Sequence, residues 1–308
     1  MSKELVVIAL GGNALIRAGQ RGTFEEQLSN LSKIATYIVQ LAEKYSLIIT
    51  HGNGPQVGNL YLQQETTIDV PPMPLHACGA MTQSLIGYMI QQAISTADPS
   101  LDVAVVTTRV EVDPNDPAFR SPSKPIGPFY PEDRLEELKK KGWDLVHVPG
   151  KGWRRVVPSP LPRRILELNV IRRLIGNSDI VVAVGGGGIP VIKSGEGYEG
   201  VDAVIDKDLA SSLLASELNA SRFVILTDVE GVYLDYGKPT QRLLPELCAG
   251  EALQMVGNGM FPKGSMGPKV EAAALYTQKT GKVSVISHLD KILDAVDLRF
   301  GTRILPCK

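Results

Sequence analysis

Short apolar runs alternate with amphipathic segments along most of this 308-residue chain. The first run, 5–10, leads through a glycine turn to Thr23-Phe24-Glu25-Glu26, which has the pattern of a helix capping box. Apolar residues then recur at three- and four-residue steps from Leu28 to Leu41, which predicts an amphipathic helix ending near Lys44. A strand at 47–50 follows at once. This alternation predicts an α/β protein whose parallel sheet is covered on both faces.

The same alternation continues towards the end of the chain. The pattern predicts further strands at 103–109, 180–184, 223–227, 283–286 and near 303–305. It predicts further helices at 81–94, 163–174, 209–218, 269–278 and 289–296. Residues 191–204, with Ser194-Gly195-Glu196-Gly197 in the middle, are typical of a β-hairpin.

Residues 113–162 break this rhythm. The segment contains ten prolines among charged residues, and it is too long for an ordinary connection between elements. Both tryptophans of the chain, Trp143 and Trp153, fall inside it. Aromatic residues of this size indicate local packing rather than disorder. We therefore expect a functional segment or a small subdomain.

Three of the predicted strands end in glycine-rich turns, none of which has the Walker pattern. The turns are Gly11-Gly12-Asn13, His51-Gly52-Asn53-Gly54 and 185–188. Glycine allows backbone N–H groups to crowd around an anion, and ligands of parallel sheets bind beyond the carboxyl ends of strands. Tight connections explain any single turn, but three together predict a track for a polyphosphate and a second small anion.

Lysines supply the charge that such a site needs. Lys207 stands between two aspartates where an apolar run meets a helix, Lys263 and Lys269 flank a flexible loop, and Lys124 lies in a stiff proline-rich stretch. Each of these lysines could equally be an ordinary solvent-exposed residue without a functional role. Lysines and backbone N–H groups without an evident general base suit phosphoryl transfer to an acceptor that is already an anion. A structural hydrogen bond explains His51 as well as a base would.

Composition narrows the partners and the compartment. The formal net charge is −1, so the basic excess of nucleic-acid binders is missing, and small molecules or copies of the chain are the expected partners. No apolar stretch reaches the roughly 18 residues that span a membrane. The cysteines at 78, 248 and 307 are far apart without metal-binding spacing. We therefore expect reduced thiols and a cytoplasmic protein.

Taken together, these residues resemble the amino-acid kinase superfamily, and specifically the carbamate kinases. The likeness extends over nearly the whole chain, and the stretches around 124–130 and 152–160 are particular to carbamate kinases. The stretches that carry it are 6–15, 51–58, 79–81, 86–89, 124–130, 152–160, 200–209 and 264–269.

The resemblance implies a fold, a reaction and partners. The fold is a three-layer αβα sandwich around a mainly parallel sheet, in a single domain over 1–308 that is usually a homodimer. Residues 1–180 would bind carbamate or carbamoyl phosphate beneath a protruding subdomain at 113–162, and 181–308 would bind nucleotide. The reaction is reversible transfer of a phosphoryl group from ATP to carbamate, giving ADP and carbamoyl phosphate. Mg²⁺ would be held mainly by ATP phosphates, with few or no protein ligands.

Site residues follow from the matching motifs. The resemblance implies that Gly11, Gly12 and Asn13 contact the transferred phosphoryl group, and that Gly52, Asn53 and Gly54 hold carbamate. Three lysines would neutralise the phosphate and one aspartate would orient them: Lys124, Lys207, Lys269 and Asp208. The nucleotide pocket would include Thr227, Asp228, Val229, Tyr236 and Met266, together with Lys207 and Lys269.

Small departures from the family pattern and two rival functions remain open. Pro262 and Lys263 stand where the family commonly has other residues, which leaves the closure of that loop undetermined, and Lys151 stands where an arginine is common.

An acetylglutamate or uridylate kinase is the nearest rival, although those relatives lack the protruding subdomain. A nucleotide-binding sensor is the rival from another class, although a sensor need not keep Lys207, Asp208 and Lys269.

Overall fold

A computed structural model describes residues 3–66, 69–262 and 264–307. Its strands are β1 (Glu4–Leu10), β2 (Tyr45–His51), β3 (Val103–Val105), β4 (Arg109–Glu111), β5 (Lys124–Tyr130), β6 (Asp144–Val148), β7 (Gly152–Val157), β8 (Arg164–Ile165), β9 (Ile180–Val182), β10 (Ile189–Ser194), β11 (Gly197–Gly200), β12 (Arg222–Thr227), β13 (Val232–Leu234), β14 (Arg242–Leu244), β15 (Glu246–Cys248), β16 (Ser284–His288) and β17 (Thr302–Leu305). Its helices are α1 (Phe24–Ala42), α2 (Gly54–Thr66), α3 (Leu75–Ala97), α4 (Leu135–Lys140), α5 (Leu168–Leu174), α6 (Lys207–Glu217), α7 (Ala249–Gly257), α8 (Met266–Thr280) and α9 (Ile292–Val296). Within the described ranges, no helix has the length and apolarity needed to cross a bilayer.

The main sheet is mostly parallel, as predicted. Eight strands of the described residues pair in the order β15-β17-β16-β12-β1-β2-β9-β3. Neighbouring strands are parallel except for β16 and β17, which are antiparallel. The carboxyl ends of β1, β2 and β12 therefore meet at one edge, which places the turns after them side by side.

Helices cover both faces of this sheet. In β1, Val6, Ile8 and Leu10 face a core formed with α1, α3 and α9, whereas Val7 and Ala9 face a core formed with α5, α6, α7 and α8. This alternation follows from the two-residue period of a strand. Helix α1 begins with the predicted capping box, in which Thr23 and Glu26 exchange hydrogen bonds. The three-layer αβα sandwich is confirmed.

Two predicted elements are wrong in detail. The run at 103–109 is not one strand, because β3 lies in the main sheet and β4 pairs with β8 and β10 in a separate sheet. The helix predicted at 163–174 begins only at Leu168, since residues 164 and 165 form β8. Directly before α5, the Glu167 carboxylate accepts hydrogen bonds from the backbone N–H and the guanidinium of Arg109 in β4.

The proline-rich segment folds locally. Strands β5, β7 and β6 form a three-stranded antiparallel sheet with α4 beside it. Trp143 packs edge-on against Tyr130, with ring centroids 5.8 Å apart. This sheet lies on α2, where Gly58 and Gly127 touch so closely that a Cβ on Gly58 would come 1.8 Å from the nitrogen of Gly127. Residues 124–157 therefore contain a small sheet of their own that packs on α2, and the subdomain boundaries at 113–162 stay a prediction.

The prediction of three reduced thiols is wrong. Cys248 and Cys307 form a disulfide with their Cα atoms 4.9 Å apart, and Cys78 is free and buried. Cys307 lies 59 positions after Cys248, so the spacing of the two residues in the sequence gave no sign of the bond. The parallel pairing of β15 with β17 sets Cys248 opposite Leu305 and brings Cys307 within reach. The cytoplasmic location rested partly on reduced thiols and stays a prediction.

Candidate active site

The first two glycine turns lie side by side at the edge of the sheet. The N–H of Gly11 donates to the carbonyl of Leu226 over 3.1 Å, and the N–H of Gly52 donates to the carbonyl of Leu10 over 3.2 Å. A Cβ on Gly52 would lie 3.8 Å from the nitrogen of Gly12. Pairing of β1 with β2 thus brings together the turns that the sequence assigned to the phosphoryl group and to carbamate.

The residues of these turns differ in exposure. Gly12 is exposed and Asn13 is half-buried in a short 3₁₀ turn, while Gly54 begins α2. Asn53 is buried, and its side-chain amide donates to the hydroxyl of Thr82 over 2.9 Å. The substrate contacts assigned to Gly11, Gly12, Asn13, Gly52, Asn53 and Gly54 stay predictions.

The third glycine turn packs beneath the second. Its first three glycines are fully buried, and a Cβ on Gly185 would lie 2.3 Å from Nε2 of His51. A Cβ on Gly186 would lie 2.2 Å from Nδ2 of Asn53. Close packing therefore explains these glycines, and the turn supports His51 and Asn53 instead of extending an anion track.

His51 is a neutral structural residue. Burial lowers its pKa to about 4, with the charge of Lys207 adding to the effect. Its Nδ1 donates to the carbonyl of Gly52 over 3.1 Å, which fixes the neutral tautomer. This hydrogen bond agrees with the structural interpretation of His51 that the sequence analysis gave beside that of a general base.

Lys207 and Lys269 share one carboxylate. Nζ of Lys207 lies 2.7 Å from Oδ1 of Asp208, and Nζ of Lys269 lies 2.9 Å from Oδ2. Lys207 opens α6, and Lys269 lies in the first turn of α8. The side chain of Lys207 also crosses Gly52, where a Cβ would lie 3.3 Å from its Cδ. These contacts bring the predicted catalytic residues of the two helices to the paired turns.

Burial makes this cluster electrostatically unusual. Burial raises the pKa of Asp208, but the two ammonium groups outweigh it and hold that pKa well below its usual range. Burial lowers the pKa of Lys207, and the nearby charge of Lys269 adds to the lowering. Burial also opposes the charge on Lys269, but Asp208 outweighs burial and raises its pKa. The cluster is therefore a preorganised group of charges in a place with little water.

Lys124 joins the cluster through Asp206. Its Nζ lies 2.6 Å from Oδ2 of Asp206, while Oδ1 of Asp206 accepts hydrogen bonds from the N–H groups of Asp208 and Leu209. In the sequence, Asp206 is recognisable only as one of the two aspartates that flank Lys207. An aspartate directly before a helix is the signal that identifies such a cap. Three lysines and two aspartates leave the cluster one net positive charge.

The predicted nucleotide residues, with the exception of Lys207, line one cavity of about 200 Å³. It opens beside the lysine cluster, since Lys269 belongs to both. Thr227, Asp228, Val229, Tyr236 and Met266 all line it. A larger cavity of about 490 Å³ adjoins it and shares Asp228, Val229 and Tyr236. Lys207 does not line the smaller cavity.

Three lining residues were missed by sequence reasoning. These are Tyr233, Pro262 and Ser265. Tyr233 lies on the short hairpin β13–β14, whose three-residue strands leave no periodic signal. Pro262 precedes Lys263, which lies outside the described residues. The division of small substrate and nucleotide between 1–180 and 181–308 stays a prediction.

The way in which the expected Mg²⁺ is held stays a prediction. Within the described residues, no group of three or more His, Cys, Asp or Glu side chains is arranged to hold a metal. Both oxygens of Asp208 are taken by lysines. A lysine cluster beside a cavity suits a phosphate-rich ligand, which brings its own oxygens to a metal.

Comparison with known proteins identifies the family. A profile of the amino acid kinase family matches residues 4–287. The carbamate kinase of Thermococcus kodakarensis is 46% identical, with 97% of this chain and 98% of that protein covered. The carbamate kinase of Haemophilus influenzae is also 46% identical, with 97% and 96% covered.

Solved structures agree. Carbamate kinase from Giardia lamblia bound to citric acid superposes with a TM-score of 0.93 at 43% identity, covering 99% of both chains. The same enzyme bound to AMP-PNP gives a TM-score of 0.90 at 44% identity, again covering 99% of both chains. The chain therefore belongs to the amino acid kinase family and, within it, to the carbamate kinases.

Proposed function

We propose that this protein transfers a phosphoryl group reversibly between ATP and carbamate, giving ADP and carbamoyl phosphate. The observation that carries the proposal is the cluster of Lys124, Lys207 and Lys269 beside two adjacent glycine turns and a cavity lined by the predicted nucleotide residues. Phosphoryl transfer needs positioning and charge neutralisation more than covalent chemistry. Carbamate is already an anion, so no general base is required, which agrees with a neutral His51.

Each part of the site has a role in this reaction. The turn at Gly11, Gly12 and Asn13 binds the phosphoryl group through backbone N–H groups beyond that of Gly11, which donates to Leu226, and the turn at Gly52 holds carbamate. The lysines stabilise charge on the equatorial oxygens as the phosphoryl group moves, and Asp208 keeps Lys207 and Lys269 in place. The AMP-PNP complex of the Giardia relative supports ATP and ADP as the nucleotides.

We propose Mg²⁺ as the metal, held mainly by the nucleotide phosphates. When bound, it neutralises phosphate charge and orients the transferred group. The cluster has only one net positive charge before ligands bind, which is less than a nucleoside triphosphate requires. Omission of Mg²⁺ should therefore abolish turnover, and its return should restore it.

The decisive experiment runs the reaction towards ATP. Pure protein is mixed with ADP, Mg²⁺ and carbamoyl phosphate, and ATP is measured. We expect ATP, and a Lys207→Ala variant should be at least ~100-fold slower because it lacks a preorganised charge. No ATP from the wild-type protein would refute the proposal. Parallel trials of ATP with acetylglutamate or UMP test the two kinase rivals, and binding of nucleotide without any turnover would favour a sensor.

We also propose that the protein is a homodimer formed through α3. Met81, Leu85 and Tyr88 lie on one exposed face of this helix, and Phe24 of α1 stacks on Tyr88 with centroids 6.4 Å apart. Contiguous exposed apolar side chains mark an interaction surface. Light scattering should give twice the chain mass, and Leu85→Glu should give the monomer. Val170→Glu, at an exposed apolar residue of α5, should leave the dimer intact.

A further inference from the structure

The Asp206 carboxylate connects the start of α6 with Lys124. Oδ1 caps α6 by accepting from the N–H groups of Asp208 over 2.8 Å and Leu209 over 3.3 Å. Oδ2 accepts from Nζ of Lys124 over 2.6 Å. The Asp206 side chain is only 12% exposed and that of Lys124 30%, so water competes weakly for this contact.

The contact joins the subdomain to the main body. Lys124 is the first residue of β5, and Asp206 lies 82 residues further along at the start of α6. The backbone supports the same junction, since the N–H of Val204 donates to the carbonyl of Pro158 over 2.9 Å. This ion pair and the backbone bond beside it therefore hold Lys124 near Lys207, in addition to the packing of β5 on α2.

Charge explains why a carboxylate is needed here. Without Asp206, three ammonium groups would face one carboxylate, and the net charge of the cluster would rise from one to two. Repulsion would push Lys124 outwards, because its side chain is the most exposed of the three. An ammonium group has three N–H donors, so Lys124 keeps two for phosphoryl oxygens while it holds Asp206.

We propose that Asp206 is a positioning residue that fixes Lys124, and with it the subdomain, at the transferred phosphoryl group. The part concerning the phosphoryl group rests on the proposed function. Asp206 acts through Lys124, and it does so in addition to capping α6.

Asparagine separates these two tasks. Asparagine caps helices about as well as aspartate, but it carries no charge for Lys124. Asp206→Asn should therefore keep the stability of the protein and its KM for ADP within about twofold, while kcat for ATP formation falls at least ~10-fold. Asp202→Asn is the matched control, because this exposed aspartate of the same segment pairs with His76 outside the cluster. It should leave kcat unchanged.

A double-mutant cycle tests whether Asp206 works through Lys124. In a Lys124→Ala background, Asp206→Asn should change kcat less than about twofold, because the partner is already gone. An equal loss of kcat in both backgrounds, or no loss in the single variant, would overturn the proposal and leave Asp206 as a cap only.

Hydrogen exchange gives a readout that does not depend on the reaction. Asp206→Asn should speed amide exchange in β5 and β7 at least ~10-fold and leave α8 unchanged, whereas Asp202→Asn should change neither. Unchanged exchange in β5 would refute the positioning role. A wild-type protein that makes no ATP would refute the proposed function instead, and the exchange experiment would still decide how Lys124 is held.

Discussion

Gly52 is the residue at which the paired turns meet the lysine cluster. A Cβ at this position would lie 3.3 Å from Cδ and 3.6 Å from Cε of Lys207. The Lys207 side chain would have to give way by a few tenths of an ångström, although its ammonium is held by Asp208. We predict that Gly52→Ala lowers kcat about 10-fold, because catalysis depends on the position of this charge.

The control for this change is a glycine with free space around it. A Cβ on Gly257, the last residue of α7, meets no atom within 4 Å. Gly257→Ala should keep wild-type kcat in the ATP-forming assay, and both variants should unfold near the wild-type temperature. Wild-type activity in Gly52→Ala would mean that Lys207 is free to move without consequence.

His51 gives a prediction about pH and stability. Its pKa is about 4 in the folded protein and 6.5 when unperturbed, so the unfolded chain binds more protons between these values. Stability from this residue is complete above pH 6.5 and is lost as pH falls towards 4. The difference amounts to roughly 3 kcal/mol. The free energy of unfolding of wild type minus that of His51→Asn, measured by denaturant titration, should therefore be smaller at pH 4 than at pH 7 by this amount. The same value at both pH values would contradict a neutral buried ring.

At the scale of elements, the packing of the subdomain on α2 depends on two glycines, Gly58 and Gly127. A Cβ on Gly58 would come within 1.8 Å of the backbone nitrogen of Gly127, and backbone cannot rotate away. We predict that Gly58→Ala displaces β5 and Lys124 and so lowers kcat at least ~100-fold. ADP should still bind, because neither α2 nor β5 lines the cavity beside Lys269. Asn59→Ala, at the exposed next residue of α2, should keep full activity. Equal activity of the two variants would show that β5 has another attachment.

Helices and strands with a strong periodic pattern of apolar residues could be predicted from the sequence. Elements whose structure depends on contacts with neighbouring elements could not. Helix α1 and the first two strands carry clear patterns, and the structure confirms them. Helix α2 begins at a glycine and a proline and shows only a short buried stretch, so it was missed. Strand β8 has two residues and exists because β4 pairs with it, which is information that its own sequence does not contain.

The candidate site shows the same division. The lysines and glycine turns follow from residue type and position at strand ends, and pairing of β1 with β2 brings the first two turns together. The third turn has the same composition, but it is buried against His51 and Asn53. Glycines that bind anions and glycines that permit close packing look alike in sequence. Only the packing in the folded protein distinguishes them. The ion pair between Lys124 and Asp206 is likewise visible only in the fold, because the two residues lie 82 positions apart.

At the scale of the whole molecule, the disulfide ties the edge of the main sheet to the end of the described chain. Cys248 ends β15 and directly precedes α7, and Cys307 follows β17. A link across 59 residues restricts the unfolded chain, so its loss should lower the free energy of unfolding by about 2–4 kcal/mol. The cavity beside Lys269 lies on other elements, so turnover at moderate temperature should persist.

Cys307→Ser tests this directly. We expect denaturant unfolding of the variant to match that of reduced wild-type protein, both less stable than the oxidised form. Reductant added to Cys307→Ser is the internal control, because no disulfide is left to break and its curve should not move. Thiol titration of the unfolded, unreduced wild type should find one free group, Cys78, and three after reduction. Three free groups before reduction, with no effect of reductant on stability, would contradict the bond.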